Sequence, residues 1–440
     1  MRSTFLAAQH YLRTFRESVL MGGWRYASRR TAIFIGNRAR AVLRKLAGGI
    51  FPGTARWRIR GLESPFSAII QTLPATPADR PLLLIVSDSQ IKQCVHFRIH
   101  QKLRYLEQTG LKAMHLAPAD KGRLLSFAGL AHTVIIYRTA LDKDTIQMFR
   151  DAGARVIFEF DDLVVGSTML KNSGILDQLT EHQVSGLTRL ADRFLETAQA
   201  SDAIIVSTPF LAQLYAAPDS GLAHLPIHVL PNFVETDIYP VPGEKNVTFA
   251  YTSPSGSVRD ELTMLSDFLT SYDQTATRDW SILVMGNPLA QKALGDMTFR
   301  RGKVIARPFS DFDAYLETIA GAETVLIPLS DSVFNRSKTA IRLMDAALAG
   351  SQAVFCPVGA YRDVQTELAE DRLCVPVDDW AKAGVAIAPA LTDIQANTRD
   401  LQQAVRKVYG TQTARGRYRQ VFLDELQMQP YADAERAQQG

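Results

Sequence analysis

Phe312–Tyr361 reads FDAYLETIAGAETVLIPLSDSVFNRSKTAIRLMDAALAGSQAVFCPVGAY. Asp311–Ile319 has the pattern of a helix, and Glu323–Pro328 is a short apolar run of the kind buried on both faces of a parallel sheet. After a polar loop, Thr339–Ala349 reads as a second helix that stops at Gly350, a residue suited to a left-handed C-cap. Ala353–Cys356 is the next strand. Helix, strand, helix and strand in this order predict parallel strands joined by crossovers.

The same alternation extends in both directions. Before this stretch, strands are expected at Asn246–Tyr251, Trp280–Met285 and Lys303–Ala306, with a helix over 258–271. After it, a strand is expected at Arg372–Val375, and 379–390 and 394–427 read as mostly helical. An earlier series has strands at Pro81–Ser87, Lys112–Leu116, Thr133–Tyr137, Ala154–Phe160, Asp202–Val206 and His228–Leu230, and helices over 98–109, 143–152 and 175–200. Ser207 and Thr208 are placed to cap the helix after Asp202–Val206. Tyr239-Pro-Val-Pro-Gly-Glu-Lys245 punctuates the two series. The division expected is a basic arm over 1–75, a Rossmann-like half over 76–240, and a second half over 241–440 that keeps the C-terminal helices. Ligands of open parallel sheets bind beyond the carboxyl ends of the strands, so the cleft between the halves is the expected active site.

Composition agrees with a globular protein of two or three domains: 440 residues, 46% hydrophobic and 21% charged. Cys94, Cys356 and Cys374 are widely spread, which argues against a disulfide framework or a zinc site and fits a reducing cytosol. The net charge of +4 hides an asymmetry: residues 1–60 hold thirteen basic residues against Glu17, a net +12, so the other 380 stand at −8. No apolar run in the arm reaches the roughly 20 residues of a membrane span, and no secretory signal is evident. Phe5, Leu12, Phe15 and Val19 fall near one helical face. The arm is therefore expected to lie on an anionic membrane surface, with a helix packed on the first half as the alternative. No RNA-binding or zinc-finger pattern accompanies the charge, and no nucleic-acid partner is expected.

Phe334, Asn335, Lys338, Thr339, Ala347, Gly350 and Tyr361 stand at the offsets of a known pattern: a strand ending Ile-Pro-Leu, then Phe-Asn-x-x-Lys-Ser/Thr, a helix closed by Gly, and a Tyr-containing turn. In these residues the second half resembles the family 4 retaining glycosyltransferases of the two-domain (GT-B) fold, in the branch that assembles bacterial surface polysaccharides. The first half is similar more weakly, through Val95-His96-Phe97-Arg98, Glu159-Phe-Asp-Asp-Leu163, Ser201-Asp-Ala203 and Leu230-Pro-Asn232. The resemblance covers roughly residues 80–380. It departs from the pattern at Asp345, often Glu in the family, at Ser337, where an acid is usual, and at Ser257, where the branch often has His.

The resemblance implies transfer of a hexose-type sugar from a nucleotide donor to a lipid-linked or glycan acceptor, at the cytoplasmic face of a membrane. No metal or other cofactor is expected. A diphosphate leaving group needs positive charge and N–H donors, which a helix N-terminus supplies. Lys338 is expected to neutralise the diphosphate, with Thr339, Asn335 and Ser337 around it; the alternative is a solvated lysine and a capping threonine. Asp345 is implied as a ribose acceptor, Arg307 as part of the base loop, and Gly286 as a point of close ligand approach. Asp161 and Asp162 are expected in the cleft, orienting or deprotonating the acceptor hydroxyl, although an Asp-rich strand end also suits a metal site. Arg98 is placed either on an anionic acceptor group or in an ion pair with Asp161 or Asp162. Ser337 and Ser257 motivate a second reading, a catalytically reduced scaffold or nucleotide-binding subunit.

Overall fold

The computed structural model describes residues 82–119, 121–235, 238–239, 244–253, 259–309, 311–368, 379–390 and 394–428. The basic arm, Ser257, Cys374 and the strand expected at Arg372–Val375 lie outside the described residues.

Two sheets account for the strands. The first joins β1 (Leu82–Val86), β2 (Lys112–Leu116), β3 (Ala131–Tyr137), β4 (Arg155–Phe160), β5 (Ala203–Val206) and β6 (Ile227–Val229) in the order β2-β1-β3-β4-β5-β6. The second joins β7 (Val247–Ser253), β8 (Trp280–Gly286), β9 (Gly302–Arg307), β10 (Ala322–Ile327) and β11 (Gln352–Phe355) in the order β11-β10-β7-β8-β9. The pairings are parallel in both sheets. The strand order reverses between β1 and β3 and again between β7 and β10, where crossovers leave to opposite sides and open a crevice at the carboxyl ends.

Local chemistry accounts for the helix starts. Thr208 accepts from Leu211 N and precedes Pro209, which begins the Pro209–Ala216 helix. Thr180 and Gln183 form a capping box before the Glu181–Gln199 helix. Ser351 N bonds Ala346 O and Gly350 N bonds Ala347 O, with Gly350 at φ 70°, a Schellman stop for the Ile341–Leu348 helix. Several helices were not anticipated, among them Lys121–Ala128, Pro288–Gly295 and Ala360–Leu368.

Period-two alternation in the first sheet sends Leu84, Val86, Val134, Ile136, Val156 and Phe158 into one core. Leu83, Ile85, Ile135, Tyr137, Ile157 and Ile205 enter the other. That second core is closed by Tyr105 and Leu106 together with Ala414, Tyr418, Val421 and Phe422. The C-terminal Thr411–Arg419 helix therefore packs on the first sheet, although the sequence groups it with the second half. Arg155 Nη1 bonds Leu426 O at 3.0 Å, and Arg417 Nη1 meets Glu425 at 2.9 Å, fixing the tail on the same layer.

The two halves meet at their carboxyl ends. The Thr208 hydroxyl, just after β5, donates to the Ser337 carbonyl at 3.2 Å, in the loop after β10. His96 stacks on Phe312 with centroids 4.2 Å apart, and Phe97 meets the same ring edge-on.

Glu159 is wholly buried at the end of β4. Arg98 Nε donates to its Oε1 at 2.7 Å, and Lys102 holds its Oε2. Burial, against the pull of Glu159, lowers Lys102 to about 8. Removing the carboxylate would leave two cations in the core without a counter-charge. Glu159→Gln is expected to lower the unfolding free energy by roughly 3–5 kcal/mol, measured by denaturant titration.

Candidate active site

The cleft is lined from the first sheet by residues that directly follow β3, β4 and β5. Arg138, after β3, has φ 45°, an uncommon backbone for an arginine. Its Nη1 donates to Asp161 Oδ1 and Asp162 Oδ2, each at 3.0 Å. Ser207 Oγ donates to the Asp161 carbonyl at 2.8 Å. The two carboxylates are not equivalent. Burial favours protonation of Asp161, but Arg138 and then Arg98 outweigh it and hold the group below the usual carboxylate range. Burial and then the Asp161 charge push Asp162 up, against Arg138 and Lys338. The Asp162 side chain is 33% exposed and that of Asp161 9%, so Asp162 is the member that reaches the cleft. The Arg138 guanidinium lies between the two carboxylates.

Arg98 does not reach the cleft. It is 1% exposed, and its partners are Glu159, the Leu230 carbonyl at 2.8 Å and Asn232 Oδ1 at 3.1 Å. Neither the acceptor-anion role nor an ion pair with Asp161 or Asp162 matches this geometry. The cation on the aspartates is Arg138, which sequence reasoning missed. Its place right after the apolar β3 run, like that of Asp161 after β4, was the available signal.

From the second half, the loop after β10 brings Asn335, Ser337, Lys338 and Thr339 together. Ser332 caps the short Val333–Arg336 turn, and Asn335 Nδ2 donates to Ser330 O at 2.9 Å and to Ser330 Oγ at 3.1 Å. Ser337 is buried, with its hydroxyl donating to Phe334 O at 2.7 Å. Asn335 and Ser337 thus shape the loop from within. Thr339 is not the helix cap: Ala340 holds that position with no side-chain bond, and Thr339 Oγ1 accepts from Asn232 Nδ2 at 3.1 Å.

Lys338 is the group that remains uncommitted. Its ammonium lies 4.9 Å over the Phe334 ring and forms no ion pair among the described residues. Burial lowers its basicity; Glu261 opposes that lowering, Arg342 adds to it, and Asp162 opposes it from across the cleft. Glu261 and Arg342 were not anticipated. Glu261 accepts from the Tyr251 hydroxyl, and Arg342 Nη1 donates to the Thr252 carbonyl at 3.2 Å.

Two further expectations meet a different geometry. Asp345 is 1% exposed, and both its oxygens are taken, by Tyr239 Oη at 2.6 Å and Tyr315 Oη at 2.8 Å. Its helix turns it inward, so it does not present an oxygen to a ribose in this arrangement. Gly286 has φ 101°, and a Cβ there would lie 2.8 Å from Ser253 O. The missing side chain makes room for the neighbouring strand. Arg307 ends β9 with an exposed side chain, while its carbonyl accepts from Gln291 Nε2 at 2.6 Å.

Burial raises Asp345 to about 7 despite the two tyrosine hydroxyls. A carboxyl whose folded pKa exceeds its unfolded value near 4 stabilises the fold below pH 4, and that contribution is lost as pH rises to 7. Asp345→Asn is expected to remove this dependence, so the unfolding free energy of the variant, read by denaturant titration, should gain on wild type between pH 4 and 7 by on the order of 2–4 kcal/mol.

Comparison with solved structures concerns the fold. A sucrose-phosphate synthase from Thermosynechococcus elongatus aligns with a TM-score of 0.52 at 12% identity, covering 80% of this chain and 100% of that one. A glycosyltransferase from Rickettsia africae ESF-5 aligns with a TM-score of 0.52 at 9% identity, again over 80% and 100%. No protein-family model matches the sequence, and no curated protein matches it. With two parallel Rossmann-like sheets facing across a cleft and these structural neighbours, the chain has the two-domain α/β fold known as GT-B.

Proposed function

We propose that this protein is a glycosyltransferase that moves a hexose-type sugar from a nucleotide donor to a lipid-linked or glycan acceptor, in the synthesis of a bacterial surface polysaccharide. The observation that carries the reading is Lys338: a partly buried ammonium without an ion-pair partner among the described residues, at the carboxyl end of the second sheet and facing the aspartates of the first. An unpaired buried cation is costly unless a ligand supplies the anion. A nucleoside diphosphate leaving group supplies it, and charge developing on that group is stabilised in place. The residue pattern Phe334-Asn335-x-x-Lys338-Thr339 supports the same chemistry by its resemblance to retaining GT-B transferases.

In this reading Lys338 and Thr339 bind the diphosphate, Arg307 borders the base, and Asp162 meets the acceptor hydroxyl, with Asp161 fixing Arg138 beneath it. In this reading no metal is needed, since the Arg138 guanidinium bridges the two aspartates and offsets one of their charges. The arm over residues 1–60 places the enzyme on the anionic inner face of the cell membrane. Asp345, held by two tyrosines, and Ser337, in the place of an acid, favour the second reading of a nucleotide-binding subunit with reduced catalysis.

Three outcomes are expected. In a thermal-shift panel of UDP-, GDP-, ADP- and dTDP-sugars, one nucleotide family stabilises the protein, with or without EDTA; binding without any release of sugar would instead favour the subunit reading. Lys338→Ala lowers turnover by roughly 100-fold, and wild-type affinity for the donor falls as pH rises through the lowered pKa of Lys338, below the ordinary lysine range. The full chain sediments with anionic but not with zwitterionic vesicles, and added salt releases it; equal sedimentation with both would remove the charge-based role of the arm.

A further inference from the structure

The residues on either side of Lys338 are held from the opposite half of the molecule. On one side, the Thr208 hydroxyl accepts from Leu211 N at 3.2 Å and donates its single proton to the Ser337 carbonyl at 3.2 Å. On the other, Asn232 Nδ2 donates to Thr339 Oγ1 at 3.1 Å. The Ile341–Leu348 helix does not hold the segment itself, because its cap position is Ala340 and makes no side-chain bond.

The direction of these bonds is determined. An ionised Glu159 can only accept and Arg98 can only donate, so the atom of Asn232 that meets Arg98 Nη1 is Oδ1. The amide then has to present Nδ2 to Thr339. A hydroxyl that accepts in this way keeps one proton to give, and no group among the described residues takes that of Thr339. The relay Glu159–Arg98–Asn232–Thr339 therefore runs from a buried carboxylate in the first sheet to a donor left open on the residue that follows Lys338.

We propose that Asn232 and Thr208 are positioning residues of the donor site, holding Ser337 and Thr339 from the first half so that the Lys338 ammonium and the Thr339 proton converge on one diphosphate. The inference rests on the nucleotide-sugar reading given above. It adds that both neighbours of Lys338 are held in part from the first half, Ser337 through its carbonyl and Thr339 through its hydroxyl.

The test is calorimetric titration of the full chain with UDP, GDP, ADP and dTDP, each against its monophosphate. Wild type is expected to bind one diphosphate more tightly than the matching monophosphate. Asn232→Ala and Thr208→Val should each weaken the diphosphate roughly tenfold, as expected for a bond to a charged group, and leave the monophosphate within about twofold. Adding Asn232→Ala to Thr339→Val should cost no further affinity, since both remove the same bond. Asn232→Asp keeps an acceptor for Arg98 but loses the donor to Thr339, and it serves if the alanine variant fails to fold; the same selective loss is expected. An equal loss for both ligands, or an unchanged preference, would overturn the positioning role while leaving the donor site standing. Absence of diphosphate binding by wild type would overturn the nucleotide-sugar reading itself, and this inference with it.

Discussion

Glu159 is a carboxylate buried in a parallel sheet, and a charge in that position persists only with cations beside it. Arg98 and Lys102 supply them from one face of the helical segment that follows β1, four residues apart. The segment passes through a π-helical turn at His96–His100, a feature common where function constrains a helix. Arg98 has donors to spare after Glu159, and they go to the Leu230 carbonyl and to Asn232. The same ion pair that neutralises the sheet thus pins the stretch by which the chain leaves the first half. Arg104 meets Glu235 a little further along, so the exit is tied to the helix at two points.

The cleft inherits its electrostatics from this arrangement. With Arg98 committed inside, the aspartates after β4 depend on Arg138, whose φ of 45° turns its side chain onto both. Strained backbone of this kind persists only where the surroundings over-determine it. One guanidinium between two carboxylates leaves a single negative charge in excess. Its effect is uneven, because Asp161 is the more buried and Asp162 faces Lys338. The opposed charges Asp162 and Lys338 belong to different halves, so the meeting of the halves sets them against each other without pairing them.

Contacts between the halves also explain why the polar residues around Lys338 look overdetermined. Asn335 and Ser337 spend their side chains on the loop, Thr208 and Asn232 hold it from across the cleft, and Phe312 is covered by His96 and Phe97. The tail crosses back to cover the first sheet, giving the halves a third connection beside the linker and the cleft. None of these contacts commits the Lys338 ammonium, which stays the least satisfied charge of the site.

Strand positions in both sheets were legible because buried parallel strands need continuous apolar runs, and Pro81–Ser87, Thr133–Tyr137 and Glu323–Pro328 have no other reading of comparable strength. Thr208 as a cap and Gly350 as a stop were equally legible, since both act within a few residues of themselves. Lys338 and the aspartates could be placed in a cleft because each directly follows or closely trails a strand end. Partners were a different matter. Glu159 lies 61 residues from Arg98, and Tyr239 lies 106 from Asp345. Which of several nearby charges meets which is set by strand register and helix rotation, not by spacing. The sequence by itself determined that two parallel α/β layers would form and which loops would line the space between them. Only the tertiary structure decided that Arg98 and Asp345 turn inward and Arg138 outward, because side-chain direction follows from how distant elements pack.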